Sequence, residues 1–156
     1  MLSTISRVDV MGRLKTASSI LVLSLLTVFV QAESDTFGAY TVHYQAVNST
    51  FLDADIAEQY GIVRSDRRAF LNISVIKAEN EGSTLAVPAQ ISGGKRNLLG
   101  QTGSIEFREI REGSAIYYIG EFDYSNAERV RFSIEVQPEM TGEAVEIRWE
   151  TQLYNN

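Results

Sequence analysis

The single histidine, His43, and two polar stretches, Asn48-Ser49-Thr50 and Arg64-Ser65-Asp66-Arg67-Arg68, hold the residue types in this chain that could do chemistry. An imidazole beside a hydroxyl is the pair a serine hydrolase needs, with a carboxylate to orient the ring. His43 with Ser49 or Ser65 as nucleophile is therefore one reading, an envelope hydrolase. No Gly-x-Ser-x-Gly elbow supports it, and a histidine inside an alternating run ordinarily makes a structural hydrogen bond. The second reading is recognition. If the two stretches come together, Arg64 can grip a carboxylate or phosphate with two parallel hydrogen bonds, next to the hydroxyls of Ser49 and Thr50 and close to Tyr60. The ordinary alternative is that Asn48, Ser49 and Thr50 satisfy loop backbone groups while Arg64 bonds Asp53, Asp66 or a carbonyl.

Metal and cofactor chemistry find little to work with. Asp53, Asp55 and Glu58 form a small acidic group, but the central glycine and closing glutamate of a calcium loop are absent, and helix capping accounts for the same residues. With one histidine and no cysteine the usual zinc, copper and haem ligand sets cannot be assembled, so neither a metal nor a cofactor is expected. Gly93-Gly94-Lys95-Arg96 lacks the phosphate-loop spacing and reads as a flexible hairpin tip. Asn48-Ser49-Thr50 and Asn72-Ile73-Ser74 match the glycosylation sequon, but Asn72 falls inside a strand and neither is read as an acceptor.

The elements that must carry these residues are strands. Period-two alternation broken by Gly, Asn, Asp and Ser clusters predicts an all-β domain of about seven antiparallel strands. The expected strands are Tyr40 to Val47, Ala69 to Lys77, Leu85 to Ile91, Ser104 to Arg111, Ala115 to Tyr124, Arg129 to Gln137 and Ala144 to Leu153. Pro88 puts the third at a sheet edge, Ser92 to Asn97 reads as a loop, and Glu112-Gly113-Ser114 as a tight hairpin. In the last two strands Val130, Phe132, Ile134 and Val136 are expected to face Val145, Ile147, Trp149 and Leu153 across the core, with charged residues alternating on the wet side. One buried and one solvated face per strand points to an immunoglobulin-like β-sandwich, with a half-open barrel as the alternative. Between the first two strands Asp53 to Gly61 predicts a short helix. Asp53 is its cap, Asp55 complements the dipole, Gly61 stops it, and Ile56 and Tyr60 pack onto a sheet edge or close one end.

Residues 1–32 read as a secretory signal. Arg13 and Lys15 precede an apolar run from Ala17 to Val30, and Val30-Gln31-Ala32 suits cleavage after Ala32. The run is short of the roughly 20 apolar residues that span a bilayer, so a retained anchor is the second choice; Met11 is an alternative start. Residues 33–156 then form a single domain. Removing the leader takes away Arg7, Arg13, Lys15 and Asp9 and moves the formal net charge from −6 to −8. An acidic chain is a poor partner for nucleic acid or for anionic membrane surfaces.

The words Val42-His43-Tyr44, Asn48-Ser49-Thr50-Phe51-Leu52, Ile56-Ala57, Tyr60-Gly61-Ile62, Arg64-Ser65 and Leu71-Asn72-Ile73-Ser74-Val75 give the chain a resemblance to the family called domain of unknown function 4426. These are small gammaproteobacterial envelope proteins with signal sequences. The resemblance implies a periplasmic address and brings no activity, cofactor or catalytic residue. The expectation is a non-enzymatic module that binds another envelope protein or a peptide through His43, Asn48, Ser49, Thr50, Tyr60, Arg64 and Ser65. A purely structural subunit is a third possibility, and the sequence assigns no oligomeric state.

Overall fold

The computed structural model describes residues 33–140 and 143–155; the expected signal lies outside them. Ten strands form two antiparallel sheets that pack face to face. Sheet A runs in the order β1 (Glu33–Phe37), β2 (Tyr40–Asn48), β3 (Arg68–Ala78), β8 (Ala115–Asp123) and β7 (Phe107–Glu112), with β4 (Thr84–Ala86) also pairing to β3. Sheet B runs β10 (Val145–Leu153), β9 (Glu128–Pro138), β5 (Ala89–Asn97) and β6 (Thr102–Ser104). The all-β sandwich read from the alternation is the fold, and the two sheets do not close into a barrel.

Ten strands replace about seven for a physical reason. The expected strand from Leu85 to Ile91 is two strands, because the chain leaves sheet A after Ala86 and enters sheet B at Ala89. Pro88, which has no N–H to give, sits at that corner rather than at a sheet edge, and its carbonyl accepts from the Glu139 N–H at 2.7 Å. The run from Ser104 to Arg111 divides in the same way, crossing from β6 in sheet B to β7 in sheet A through the buried Ile105. Alternation survives such a corner, so the sequence shows one strand where the molecule has two. Gly93-Gly94-Lys95-Arg96 is not a hairpin tip. It lies within β5, and the whole span from Ser92 to Asn97 expected as a loop is strand. β1 had no counterpart in the reading; it pairs with β2 from Glu33 opposite Tyr44 to Phe37 opposite Tyr40.

The core between the sheets is built from Val42, Leu71, Ile73 and Val75 on one side and Val130, Phe132, Ile134, Val136 and Ile147 on the other, all with almost no solvent exposure. The apolar residues of β9 and β10 do not face one another across it. Ile134 and Ile147 are neighbours on one sheet, as are Phe132 and Trp149, and what they face is sheet A. A run of aromatic rings joins the layers: Tyr44 meets Trp149 across them at 4.5 Å between centroids and Phe132 meets Phe122 at 5.2 Å, while Trp149 and Phe132, side by side on sheet B at 4.7 Å, link the two contacts. Tyr118 pins the layers as well. Its buried hydroxyl accepts from the Ala89 N–H at 2.8 Å and donates to Glu109 at 2.7 Å. Burial pushes this phenol above its ordinary range, with Ala89 opposing and Glu109 reinforcing the shift.

Candidate functional site

The segment between β2 and β3 neither caps an end of the sandwich nor lies on a sheet edge. It folds back over the outer face of sheet A. A 3-10 turn (Ser49–Phe51) leads into helix α1 (Ala54–Gln59), and Gly61, at φ +61°, ends the helix in the left-handed conformation. Asp53 holds the cap position in extended backbone, but its side chain makes no capping hydrogen bond. Asp55 lies in the first turn. The residue that packs down is Ala57, buried with Ile62, Phe70 and Ile119, while Val47, Leu52, Tyr60, Ile110 and Tyr117 surround them. Tyr60 thus packs as expected; Ile56 is only partly covered, at 41% exposed.

The polar residues singled out in the sequence hold this flap in place. Ser49 is 1% exposed, and its hydroxyl both accepts from the Ser65 N–H at 2.9 Å and donates to the Ser65 carbonyl at 3.1 Å. Arg64 donates to the Thr50 carbonyl at 3.2 Å, so the two stretches do meet, through backbone groups. The Ser65 hydroxyl accepts from the Arg67 N–H. Asn48, also buried, donates to the Tyr154 carbonyl at 2.8 Å and ties the last strand to the flap. From the sheet below, Arg108 donates to the Tyr60 carbonyl at 2.7 Å, and Glu121 accepts from the Val63 N–H while pairing with Arg108. Burial of Asn48 and the mid-strand position of Asn72 suit neither sequon to an acceptor role.

His43 is not part of this cluster. It lies in the middle of β2, opposite Ser34 on one side and Ser74 on the other, and makes no side-chain hydrogen bond among the described residues. Six residues of strand, about 20 Å of extended chain, separate it from Ser49. Ser49 and Ser65 are therefore together with each other and apart from the imidazole. Among the described residues no three His, Asp or Glu side chains cluster.

Ser49 makes a testable structural claim. In Ser49→Ala the Ser65 N–H and C=O lose their shared partner in a buried setting, which costs about 1–3 kcal/mol. Hydrogen exchange should show the Ser65 and Ile62 amides losing protection before the core strands do. Protection that falls uniformly over the whole domain would contradict a local tie.

What sequence reasoning missed is the feature these ties create. Between the flap and sheet A lies an apolar groove of about 240 Å³, walled by Leu52, Ile56, Tyr60, Phe70, Ile110 and Tyr117. The amides of Gln45 and Asn72, direct cross-strand partners, lie along it, and the Asn72 Oδ1 is buried without a hydrogen-bond partner. A signal for it was present. Ala69-Phe70-Leu71 and Ile116-Tyr117-Tyr118-Ile119 are apolar without alternation, which means that both faces of sheet A are covered there.

Fold and site together define a two-layer antiparallel β-sandwich with a pinned flap over one sheet. The chain belongs to the family described as domain of unknown function 4426, whose model matches residues 34–156. It is similar to the crystal structure of a family member from Pseudomonas aeruginosa PAO1, at 28% identity and a TM-score of 0.69 over 80% of this chain and 96% of that one. It is also similar to FetP of uropathogenic Escherichia coli strain F11, expressed in the periplasm, at 10% identity and a TM-score of 0.60, covering 80% of this chain and 95% of that one. A copper-bound variant of FetP aligns at 11% identity and a TM-score of 0.61, over 80% and 96% of the two chains. At such identities the FetP likeness concerns the fold alone. No curated protein matches the chain.

Proposed function

We propose that this protein is an exported, non-enzymatic binding module of the bacterial envelope that seats an apolar side chain of a partner protein or peptide in the groove beneath α1. The observation that carries the reading is the groove itself. The outer face of a two-layer sandwich is ordinarily polar, and here an open apolar channel is held in shape by at least four separate polar ties. Asn48, Ser49, Thr50, Arg64 and Ser65 act in this reading as the frame of the site, and Tyr60 as part of its wall. Export is supported by the signal pattern of residues 1–32 and by the family match that begins at residue 34. No helix of the described residues is long and apolar enough to cross a membrane.

One experiment tests both parts. A photo-cross-linking residue is placed at position 56, on the groove rim, or at position 85, an exposed leucine on β4 away from it. The expected result is a mature chain beginning at Glu33 in the periplasmic fraction, with a light-dependent protein adduct from position 56 only. Adducts of equal yield from both positions, or from neither, would remove the groove reading. A chain that keeps its first 32 residues would remove cleavage.

A further inference from the structure

The opposite layer carries a second feature, independent of the groove. The outer face of sheet B forms a concavity of about 820 Å³, and the charged side chains that this face presents to it are Arg96, Arg131, Arg148 and one carboxylate, Glu150. Three cations to one anion is the reverse of the whole chain, which carries a formal charge of −6. Most of this positive charge is already engaged. Lys95, at the edge of the same space, points to the inner face, where it donates to the Asp123 carbonyl and stands over the Phe122 ring of sheet A. Arg148 pairs with Glu146 at 2.6 Å. Arg131 pairs with Glu150, which is shared with Arg129. Arg96 has no ion-pair or hydrogen-bond partner among the described residues, yet it lies directly across the β5–β9 ladder from Arg131.

Like charges placed directly opposite one another on a sheet cost stability. A strand position with no ligand to serve would relieve that cost with any neutral residue. The floor between these arginines is bare: a Cβ on Gly94 would collide with the Gly103 carbonyl and lie 3.3 Å from the Ser104 Cα, so the strands meet more closely than side chains allow. Thr102 and Ser104 add hydroxyls along the rim. Arg148 is cross-strand from Ser133, one diagonal step from Arg131, and strand spacing puts such diagonal neighbours about 7–8 Å apart. Three guanidinium groups on three adjacent strands therefore border one open, flat-floored space.

We infer that this concavity binds a small soluble phosphate-bearing molecule, with Arg96 and Arg131 gripping the phosphate and Arg148 beside it. Phosphate fits better than carboxylate, because a competing carboxylate, Glu150, is already in place and only a more highly charged group with several acceptor oxygens gains by joining it. A soluble ligand fits better than a bilayer, because the acidic chain as a whole is repelled by an anionic surface while a concave seat favours a small molecule.

The test titrates the purified chain with inorganic pyrophosphate at low ionic strength and follows amide shifts. Saturable shifts at Gly94, Gly103, Ser104 and Ser133 are expected, with Kd raised at least tenfold in Arg96→Gln and in Arg131→Gln and less than twofold in Arg67→Gln, which removes the same charge from an exposed position just before β3 of the other layer. Thermal unfolding of Arg96→Gln should hold or rise, since a like-charge contact is removed; a fall would mark a structural role instead. Equal shifts from sodium chloride at matched ionic strength, or equal losses in Arg96→Gln and Arg67→Gln, would overturn the inference. Sedimentation with phosphatidylglycerol vesicles in the absence of saturable pyrophosphate binding would overturn the soluble ligand.

Discussion

Gly93→Ala is expected to lower the thermal midpoint by on the order of 10–25 °C, measured by far-UV circular dichroism at neutral pH, using roughly 3–6 °C per kcal/mol for a domain of this size. Gly93 lies in β5 between β9 and β6, with φ at +149°. An added Cβ would collide with the Ser133 carbonyl and stand 2.8 Å from the Ile134 Cα and 2.9 Å from its Cδ1. β9 cannot retreat, because its other edge is bonded to β10 through nine paired positions. Overpacking costs about 1–3 kcal/mol, and a strained φ for a non-glycine residue about 1–3 more, so about 2–6 kcal/mol in total, the middle of which gives the expected shift. Gly113→Ala supplies the comparison. It also has positive φ, but its hairpin tip opens to solvent with nothing within 4 Å of the added atom. Its loss should be about 1 kcal/mol. Equal losses at the two positions would show that close strand approach at Gly93 is unimportant.

Phe132→Ala should cost about 3–5 kcal/mol in urea unfolding, the usual range for deleting a buried phenyl ring. Phe132 is the largest side chain with almost no exposure, and it links Trp149 on its own sheet to Phe122 on the other. Without cysteine the chain has no disulfide to limit the damage. Against a total stability of about 5–15 kcal/mol for a small domain, that loss removes between about a fifth and the whole of it. Phe132→Leu, which refills most of the space, should lose less than about 1.5 kcal/mol. If the alanine and leucine variants unfold at the same urea concentration, the ring contacts do not carry the coupling between layers.

The fold was largely legible because its physics is local. Val130, Phe132, Ile134 and Val136 alternate with charged and polar residues over one unbroken strand, and each step of two returns a side chain to the same face. The strands that were misread are those whose path changes sheet. Pro88 was seen as a break in a ladder, but which two ladders it separates depends on Val75 and Val87 meeting, residues far apart in sequence. Gly93 and Gly94 looked like turn residues because glycine permits turns. They are strand residues because Ser133 and Gly103 come too close for anything larger.

The polar residues were legible as a group and not as a function. The two polar stretches could converge on the sequence alone, and hydrogen bonds do join Ser49 to Ser65 and Arg64 to Thr50, while Asn48 bonds the Tyr154 carbonyl; whether such a cluster faces a ligand or a carbonyl depends on where the loop backbone lies. The groove beside them went unread even though Phe70, Tyr117 and Ile119 broke the alternation, since nothing local says what covers a second apolar face.

The sequence by itself thus determined the sandwich, most of its core positions and the short helix, because each follows from periodicity or composition over a few neighbouring residues. Only tertiary structure decided that the helix lies on the outer face of sheet A, that Ser49 is committed to Ser65 and out of reach of His43, and that Arg96 stands opposite Arg131. These are pairings between distant segments, fixed by strand order and register, and no single stretch of chain encodes them.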